Sequence, residues 1–181
     1  MAVAGCVALL ARPALLPDGQ DPTARLVVLF VLLGVVGAAW PLARSATDAS
    51  LSGRSGRAAA AAALAVGSLA FLMGRVLMGG PGLGWAHPLL VRSVVLNSLA
   101  AVAEEAFFRR LVYGLLGRWG TAAAVLGSAA AFAVVHVTVW GWWVLPLDLA
   151  AGLLLSWQRA ASGRWWVPAV THVLANVLAL V

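Results

Sequence analysis

Lysine is absent from this sequence, cysteine occurs once and glutamate occurs only twice. The single cysteine, Cys6, excludes an internal disulfide. Only 10% of the 181 residues are charged and 63% are hydrophobic, which is unlike the composition of soluble domains. A soluble fold with this composition would expose too much apolar surface to stay dispersed. We therefore expect an all-α integral membrane protein.

All of the positive charge comes from twelve arginines, and the net charge is +6. The arginines do not alternate with aromatic residues on a polar surface, so nucleic acid is not an expected partner. They are better explained as determinants of membrane topology. A chain without lysine that is rich in alanine, glycine, valine and arginine is typical of a GC-rich bacterial genome. We therefore expect a multi-pass protein of the bacterial inner membrane.

Apolar runs separated by polar or Gly/Pro-rich loops predict a bundle of six or seven transmembrane helices with the site inside it. The predicted spans are residues 26–42, 58–78, 89–116, 121–139, 144–157 and 165–181, with residues 1–16 as a weak first span or an interfacial helix. We divide this one membrane domain into N-terminal helices, 1–88, and helices that carry the site, 89–181. The arginine-rich segments 44–57, 109–118 and 159–164 fall on one side, which the positive-inside rule assigns to the cytoplasm.

Glu104 and Glu105 lie together inside a predicted span. A charge at bilayer depth costs at least ~2.5 kcal/mol, so carboxylates there indicate a functional site. On a helix, Glu105 and Arg109 share a face in the favourable order for an ion pair. Glu104 is rotated from Glu105 by about 100°, and we expect it to point elsewhere without a partner of its own. The alternative is a cluster of charged side chains that snorkel from a helix end. Asn97, two turns earlier, is assigned to packing.

Two other predicted spans carry polar residues: His136 in one, and His172 with Asn176 in the last. His172 and Asn176 are four residues apart and project from one helical face. Each residue alone is explained by a hydrogen bond between helices, but together they are harder to explain in that way. His87 lies in a Gly/Pro-rich loop and is assigned to the membrane interface. Asp148 is interpreted as a helix cap, with a contact to the site as the alternative.

Three motifs therefore occur in order on three predicted helices: Glu104-Glu105-x-x-x-Arg109, Phe132-x-x-x-His136 and His172-x-x-x-Asn176. This arrangement resembles the CAAX protease and bacteriocin-processing family of intramembrane proteases, which includes the type II CAAX prenyl endopeptidases of eukaryotes. The first hundred residues resemble nothing beyond generic spans. The resemblance implies a glutamate-dependent endopeptidase. In it, Glu104 is the general base for water, His136 is its partner, and His172 and Asn176 donate hydrogen bonds to the oxyanion.

The residues suit this chemistry, since peptide hydrolysis needs a water, a base and oxyanion donors. Glu105, paired with Arg109, is expected to stay ionised as the structural half of the glutamate pair. Members of the family were long regarded as metal-dependent enzymes, which leaves zinc as the rival mechanism. However, there is no His-Glu-x-x-His motif, and asparagine is a poor zinc ligand, so we expect no metal and no other cofactor. There is also no Gly-x-Ser-x-Gly motif, and Cys6 is far in sequence from both site histidines.

Three classes of function remain open. The first, favoured by the order of the motifs, is the protease. The second is a catalytically idle membrane scaffold or bacteriocin-immunity protein, and the third is a proton-coupled transporter, for which charged residues in spans are also expected. Besides the lipid bilayer, we expect a protein or peptide substrate cleaved close to the membrane. Prenylated proteins are not expected in a bacterium. Compact bacterial members resemble the myxosortases, which implies processing of C-terminal membrane anchors, and processing of leader peptides is the other option.

Overall fold

The computed structural model describes residues 1–15, 23–39, 54–79 and 88–181, and within these ranges it is helical without strands. A π-helix, Ala106–Val112, connects α4 to α5. The α-helices are α1 (Ala2–Leu10), α2 (Thr23–Ala39), α3 (Arg54–Met78), α4 (Leu90–Glu105), α5 (Tyr113–Leu116), α6 (Thr121–Trp140), α7 (Leu145–Ser162) and α8 (Trp166–Leu180). The all-α prediction is confirmed for the described residues. His87 and most of the arginine-rich segment 44–57 lie outside the described residues.

Two stretches of the described helices are long and apolar enough to cross a membrane: Gly56–Leu77, within α3, and Thr121–Trp140, which is α6. The apolar helices α2 and α8 are shorter. Along α3 the large side chains Leu69, Met73 and Val76 are exposed. An apolar outer surface of this kind is suited to contact with lipid tails. The total number of membrane crossings stays a prediction.

The C-terminal end of α7 differs from the sequence prediction. We expected the helix to end near residue 157 and a basic loop to begin at Arg159. Instead α7 continues to Ser162 and ends at Gly163, whose φ of 66° is the left-handed conformation common after a helix. Arg159 is buried, and its Nε donates a hydrogen bond to the carbonyl oxygen of Arg109 at 3.3 Å. The loop assignment was wrong because an arginine with a buried acceptor cannot be told from a surface arginine by spacing.

The π-helix lies at the centre of the bundle. Its Phe107, Phe108 and Leu111 are fully buried and form a core with Phe132 of α6 and Leu9 of α1. Phe108 meets Phe107 and Phe132 edge to face, with ring centroids 5.0 and 5.5 Å apart. Such aromatic pairs contribute about 0.5–1.5 kcal/mol each beyond the area they bury. The rod formed by α4, the π-helix and α5 is therefore the element on which the other helices pack.

The π-helix, whose turns are wider than those of an α-helix, is bonded by the side chain of Arg159. The N–H of Tyr113 bonds to the carbonyl of Phe108, five residues earlier, which is the π-helical pattern. The Arg159 side chain bonds to the carbonyl of Arg109 in the same turn. A side chain that enters the helical hydrogen-bond pattern is a recognised cause of such irregularities. The π-helix begins directly after Glu105. Arg109 is therefore positioned by π-helical backbone, whereas the two glutamates lie on an α-helix.

Helix α2 approaches this rod closely because it has a glycine at the contact. A Cβ on Gly37 would lie 2.4 Å from the carbonyl carbon of Ala106 and 2.7 Å from the amide nitrogen of Phe107. These are backbone atoms at the start of the π-helix, which cannot move aside as a flexible side chain can. Small residues at helix contacts allow this kind of close approach in membrane proteins.

We predict that Gly37→Ala destabilises the protein by about 1–3 kcal/mol, because the added methyl group must push α2 away from the π-helix. The measurement is thermal unfolding of the purified protein in detergent. Gly74→Ala in α3 is the matched control, since a Cβ there meets nothing within 4 Å. The control is expected to be neutral or slightly stabilising, because alanine favours a helix over glycine by up to about 1 kcal/mol. Equal stability of the two variants would contradict the close packing.

Candidate active site

Four predicted site residues meet inside the bundle although they come from three helices. Glu104 and Glu105 are the last two residues of α4, His136 lies near the end of α6, and His172 lies near the middle of α8. Arg109 reaches the same place from the π-helix. The side chains of both glutamates are almost completely buried. Their charges must therefore be balanced by neighbouring groups rather than by bulk water.

Glu105 is held by two charged or polar partners at short distance. Its Oε1 accepts a hydrogen bond from Nδ1 of His172 at 3.0 Å, and its Oε2 lies 3.3 Å from Nε of Arg109. The ion pair with Arg109 that the spacing predicted is thus present, but the contact with His172 was not predicted. Arg109 itself is fully buried, with its guanidinium 4.9 Å from the centre of the Phe132 ring. These contacts fix Glu105 as part of a buried charged network.

Glu104 is held more loosely, by two different residues. Its Oε1 lies 3.6 Å from Nη1 of Arg12, and its Oε2 lies 3.8 Å from Nε2 of His136. The expectation that Glu104 has no partner of its own was wrong, because Arg12 is 92 residues earlier and helical spacing detects only local pairs. Both distances exceed those of direct hydrogen bonds. The Glu104 oxygens therefore have capacity to bind a water molecule between or beside these groups.

His136 has a defined orientation. Its Nδ1 is 2.8 Å from the carbonyl oxygen of Phe132. A carbonyl oxygen can only accept, so Nδ1 carries the proton of this hydrogen bond. In the neutral ring the other nitrogen, Nε2, then has a lone pair, and this is the nitrogen that faces Glu104. The backbone of α6 thus sets the tautomer that turns a hydrogen-bond acceptor toward the glutamate.

Asp148 belongs to the site, and its interpretation as a helix cap was wrong. It lies in the first turn of α7, where no side chain caps the helix. Its Oδ2 is instead 3.9 Å from Nδ1 of His136. The alternative given for Asp148, a contact with the site, is the one the structure contains. Asp148 lies inside the predicted span 144–157 rather than before its first residue, and this is the sequence feature that is compatible with the alternative.

The Phe132 ring lies close to both histidines. Its ring centroid lies 4.5 Å from that of His136 and 5.7 Å from that of His172. Asn176, one turn after His172, donates a hydrogen bond from Nδ2 to the carbonyl oxygen of Asn97 on α4 at 3.1 Å. Asn97 was assigned to packing, and this contact shows that its backbone also positions Asn176. The amide of Asn176 keeps a second N–H for another acceptor.

The donors present are a poor fit for a metal ion. Within residues 1–15, 23–39, 54–79 and 88–181, no group of three or more histidine, cysteine, aspartate or glutamate side chains is placed to hold one. Two arginines, Arg12 and Arg109, lie against the two glutamates. A divalent cation at this place would be repelled by both guanidinium groups in a low-dielectric environment. The site is better suited to chemistry by charged and hydrogen-bonding side chains.

Comparison with known protein families identifies the family of this chain. Residues 85–178 match the family described as "Type II CAAX prenyl endopeptidase Rce1-like". The chain belongs to this family. The matched range contains all three motifs but not Arg12. Membership confirms the family resemblance carried by the motifs and indicates a membrane-embedded endopeptidase. No curated protein and no solved structure matches the chain.

We predict that Glu105 and Arg109 depend on each other for stability. Glu105→Gln leaves the Arg109 charge buried without its carboxylate, and Arg109→Met leaves Glu105 without its guanidinium. Removing one partner of a buried pair typically costs about 3–5 kcal/mol. The double variant has neither charge and is expected to lose clearly less than the sum of the two single losses. The measurement is the free energy of unfolding in detergent, and additive losses would show that the pair is not coupled.

Proposed function

We propose that this protein is an intramembrane endopeptidase in which Glu104 activates a water molecule for attack on a peptide bond. The observation that carries the proposal is the contrast between the two glutamates. Glu105 is engaged at 3.0 and 3.3 Å by His172 and Arg109, whereas Glu104 faces its partners at 3.6 and 3.8 Å. Glu105 is thus suited to a structural role, and Glu104 is the carboxylate with room to accept a proton.

The water would lie between Oε2 of Glu104 and Nε2 of His136, which both face it as acceptors. Its two O–H groups donate hydrogen bonds to these two atoms, and its oxygen lone pair is directed at the substrate carbonyl. During attack the oxygen bonds to the carbonyl carbon and one proton passes to Glu104. Glu104 then returns this proton to the amine nitrogen as the C–N bond breaks. General-base catalysis of this kind typically contributes about 10²–10⁴-fold.

His172 and Asn176 would stabilise the oxyanion. Nδ1 of His172 donates to Glu105, so His172 can donate through Nε2 only as an imidazolium. The carboxylate of Glu105 favours this charged form, which makes His172 a stronger donor than a neutral imidazole. Asn176 contributes the N–H that is not bonded to Asn97. Loss of one oxyanion donor typically costs about 2.7–4 kcal/mol of transition-state stabilisation.

The substrate in this proposal is a protein or peptide whose scissile bond lies close to the membrane. Processing of C-terminal anchors, as in the myxosortases, is the first choice, and processing of leader peptides is the second. Family membership supports the cleavage of peptide bonds at a membrane, and the apolar helices support a location in the membrane. The inner membrane of a bacterium is the proposed location, on the basis of the lysine-free, alanine-rich composition.

We predict that Glu104→Gln lowers turnover by about 10²–10⁴-fold while the protein still folds. Glutamine keeps the volume and a hydrogen-bond acceptor but removes the basic oxygen. Neutralising a buried carboxylate also removes part of its desolvation cost. The measurement is cleavage of anchor and leader peptides by purified protein in lipid vesicles, normalised to folded protein.

Arg118→Gln is the control for this experiment, because Arg118 is exposed and stacks on Trp119. It is expected to cleave at the wild-type rate. Asn176→Ala is expected to lower turnover while the peptide still binds. Wild-type turnover by Glu104→Gln would refute the proposed mechanism. A membrane scaffold or immunity protein would instead show no cleavage by any variant, with its cellular effect retained by Glu104→Gln.

Chelators provide a separate test of the zinc mechanism. We predict that activity survives dialysis against EDTA and is not raised by added zinc, because two arginines lie where a metal would have to bind. The measurement is the peptide cleavage rate before and after dialysis, with metal content determined in the same samples. Activity that disappears with the chelator and returns with zinc would replace Glu104-activated water by metal-bound water.

A further inference from the structure

Arg12 is a charged neighbour of Glu104 that the mechanism above does not use. It lies in the short turn Arg12–Leu15 after α1, and its Nη1 is 3.6 Å from Oε1 of Glu104. The other carboxylate oxygen, Oε2, is the one that faces His136. The Arg12 side chain is only 13% exposed, so the contact is largely shielded from solvent. The family match begins at residue 85, so Arg12 is supplied by the part of this chain that the match does not cover.

The segment that carries Arg12 is anchored on the core. Leu9, three residues earlier, is 2% exposed and packs in the same cluster as Phe107 and Phe108. A Cβ on Gly5 would lie 2.3 Å from the Phe107 ring, so α1 contacts the π-helix directly. The guanidinium of Arg12 also lies 5.8 Å from the centre of the Phe30 ring of α2. These contacts hold Arg12 at a fixed place beside the glutamate.

The charges around Glu104 explain why a cation is needed there. Asp148 of α7 interacts electrostatically with Glu104, and Glu105 is its neighbour on α4. Both carboxylates repel a negative charge on Glu104. Arg109 offsets this only in part, since it is paired with Glu105. His136 faces Glu104 with the nitrogen that has a lone pair in the neutral ring. Among the described residues, Arg12 is the arginine within ion-pair distance of Glu104.

We propose that Arg12 is a positioning residue for Glu104, which it keeps ionised and oriented with Oε1 toward the guanidinium and Oε2 toward the water at His136. The arrangement repeats the one at Glu105, where one oxygen faces an arginine and the other a histidine. The inference rests on the proposed function, in which Glu104 is the base. Arg12 contacts neither the water nor the substrate in this scheme, so it acts only through the glutamate.

The first test measures peptide cleavage in lipid vesicles by Arg12→Gln, Arg12→Lys and Arg12→Ala. Arg12→Gln is expected to lower kcat by about 10- to 100-fold, by analogy with residues that orient metal ligands in metalloenzymes, with little change in KM. Arg12→Lys keeps the positive charge but lacks the planar guanidinium group, and it is expected to retain more activity than Arg12→Gln. Added guanidinium ion is expected to restore part of the turnover of Arg12→Ala. Arg118→Gln, which changes an exposed arginine, is the control.

The second test does not depend on cleavage. Dicyclohexylcarbodiimide enters membranes and reacts with protonated carboxyl groups, and the modified residue is identified by mass spectrometry. In the wild type, Glu104 is expected to react slowly because Arg12 keeps it ionised. In Arg12→Gln its modification is expected to be several-fold faster, with Glu105 as the internal reference because its partners are unchanged.

An unchanged kcat in Arg12→Gln overturns the proposal, whatever the labelling shows. A raised kcat also overturns it, since the contact would then inhibit the site. Activity that is lost only together with folded protein, and that neither lysine nor guanidinium restores, assigns Arg12 a purely structural role and equally overturns it. These results are distinguishable from failure of the proposed function. In that case Glu104→Gln would cleave at the wild-type rate, while carbodiimide labelling would still report whether Arg12 governs the ionisation of Glu104.

Discussion

Two adjacent carboxylates buried in an apolar bundle need compensating charge, and much of this structure supplies it. Glu104 and Glu105 end the same helix but turn to different partners. Each glutamate directs one oxygen toward an arginine and the other toward a histidine. Without these partners the desolvation of two negative charges would disfavour the fold, since a buried unpaired ion costs several kcal/mol. The two buried glutamates therefore constrain the packing of the helices that carry these partners.

This requirement explains the position of the N-terminal segment and of α8. The turn after α1 places Arg12 beside Glu104, and α8 places His172 beside Glu105. The π-helix lies between them, and its buried Phe107 and Phe108 pack against α1, α2 and α6. Close helix approach through Gly37, and the bond of Arg159 to the Arg109 carbonyl, stabilise this irregular turn. Apolar packing and charge compensation thus act on the same few turns of helix.

The difference between the two glutamates is the basis of the catalytic role proposed for Glu104. A carboxylate that is held by a hydrogen bond on one oxygen and by an ion pair on the other is suited to a rigid, structural role. A carboxylate at 3.6 and 3.8 Å from its partners retains the capacity to bind water. Phe132 contacts the partners of both glutamates, since its ring lies close to His136, to His172 and to the Arg109 guanidinium. A family of membrane-embedded endopeptidases is a setting in which such a pair has a clear use.

The sequence by itself determined the helical fold, most helix boundaries, the family and the local pair Glu105–Arg109. These follow from apolar run lengths and from spacing along one helix, which are short-range properties of the chain. The tertiary structure alone decided that Arg12 meets Glu104, that His172 meets Glu105, and that Asp148 faces His136. It also decided that Arg159 is buried and not in a surface loop. Such contacts depend on how helices distant in sequence are packed and rotated, and no periodicity within one helix carries that information.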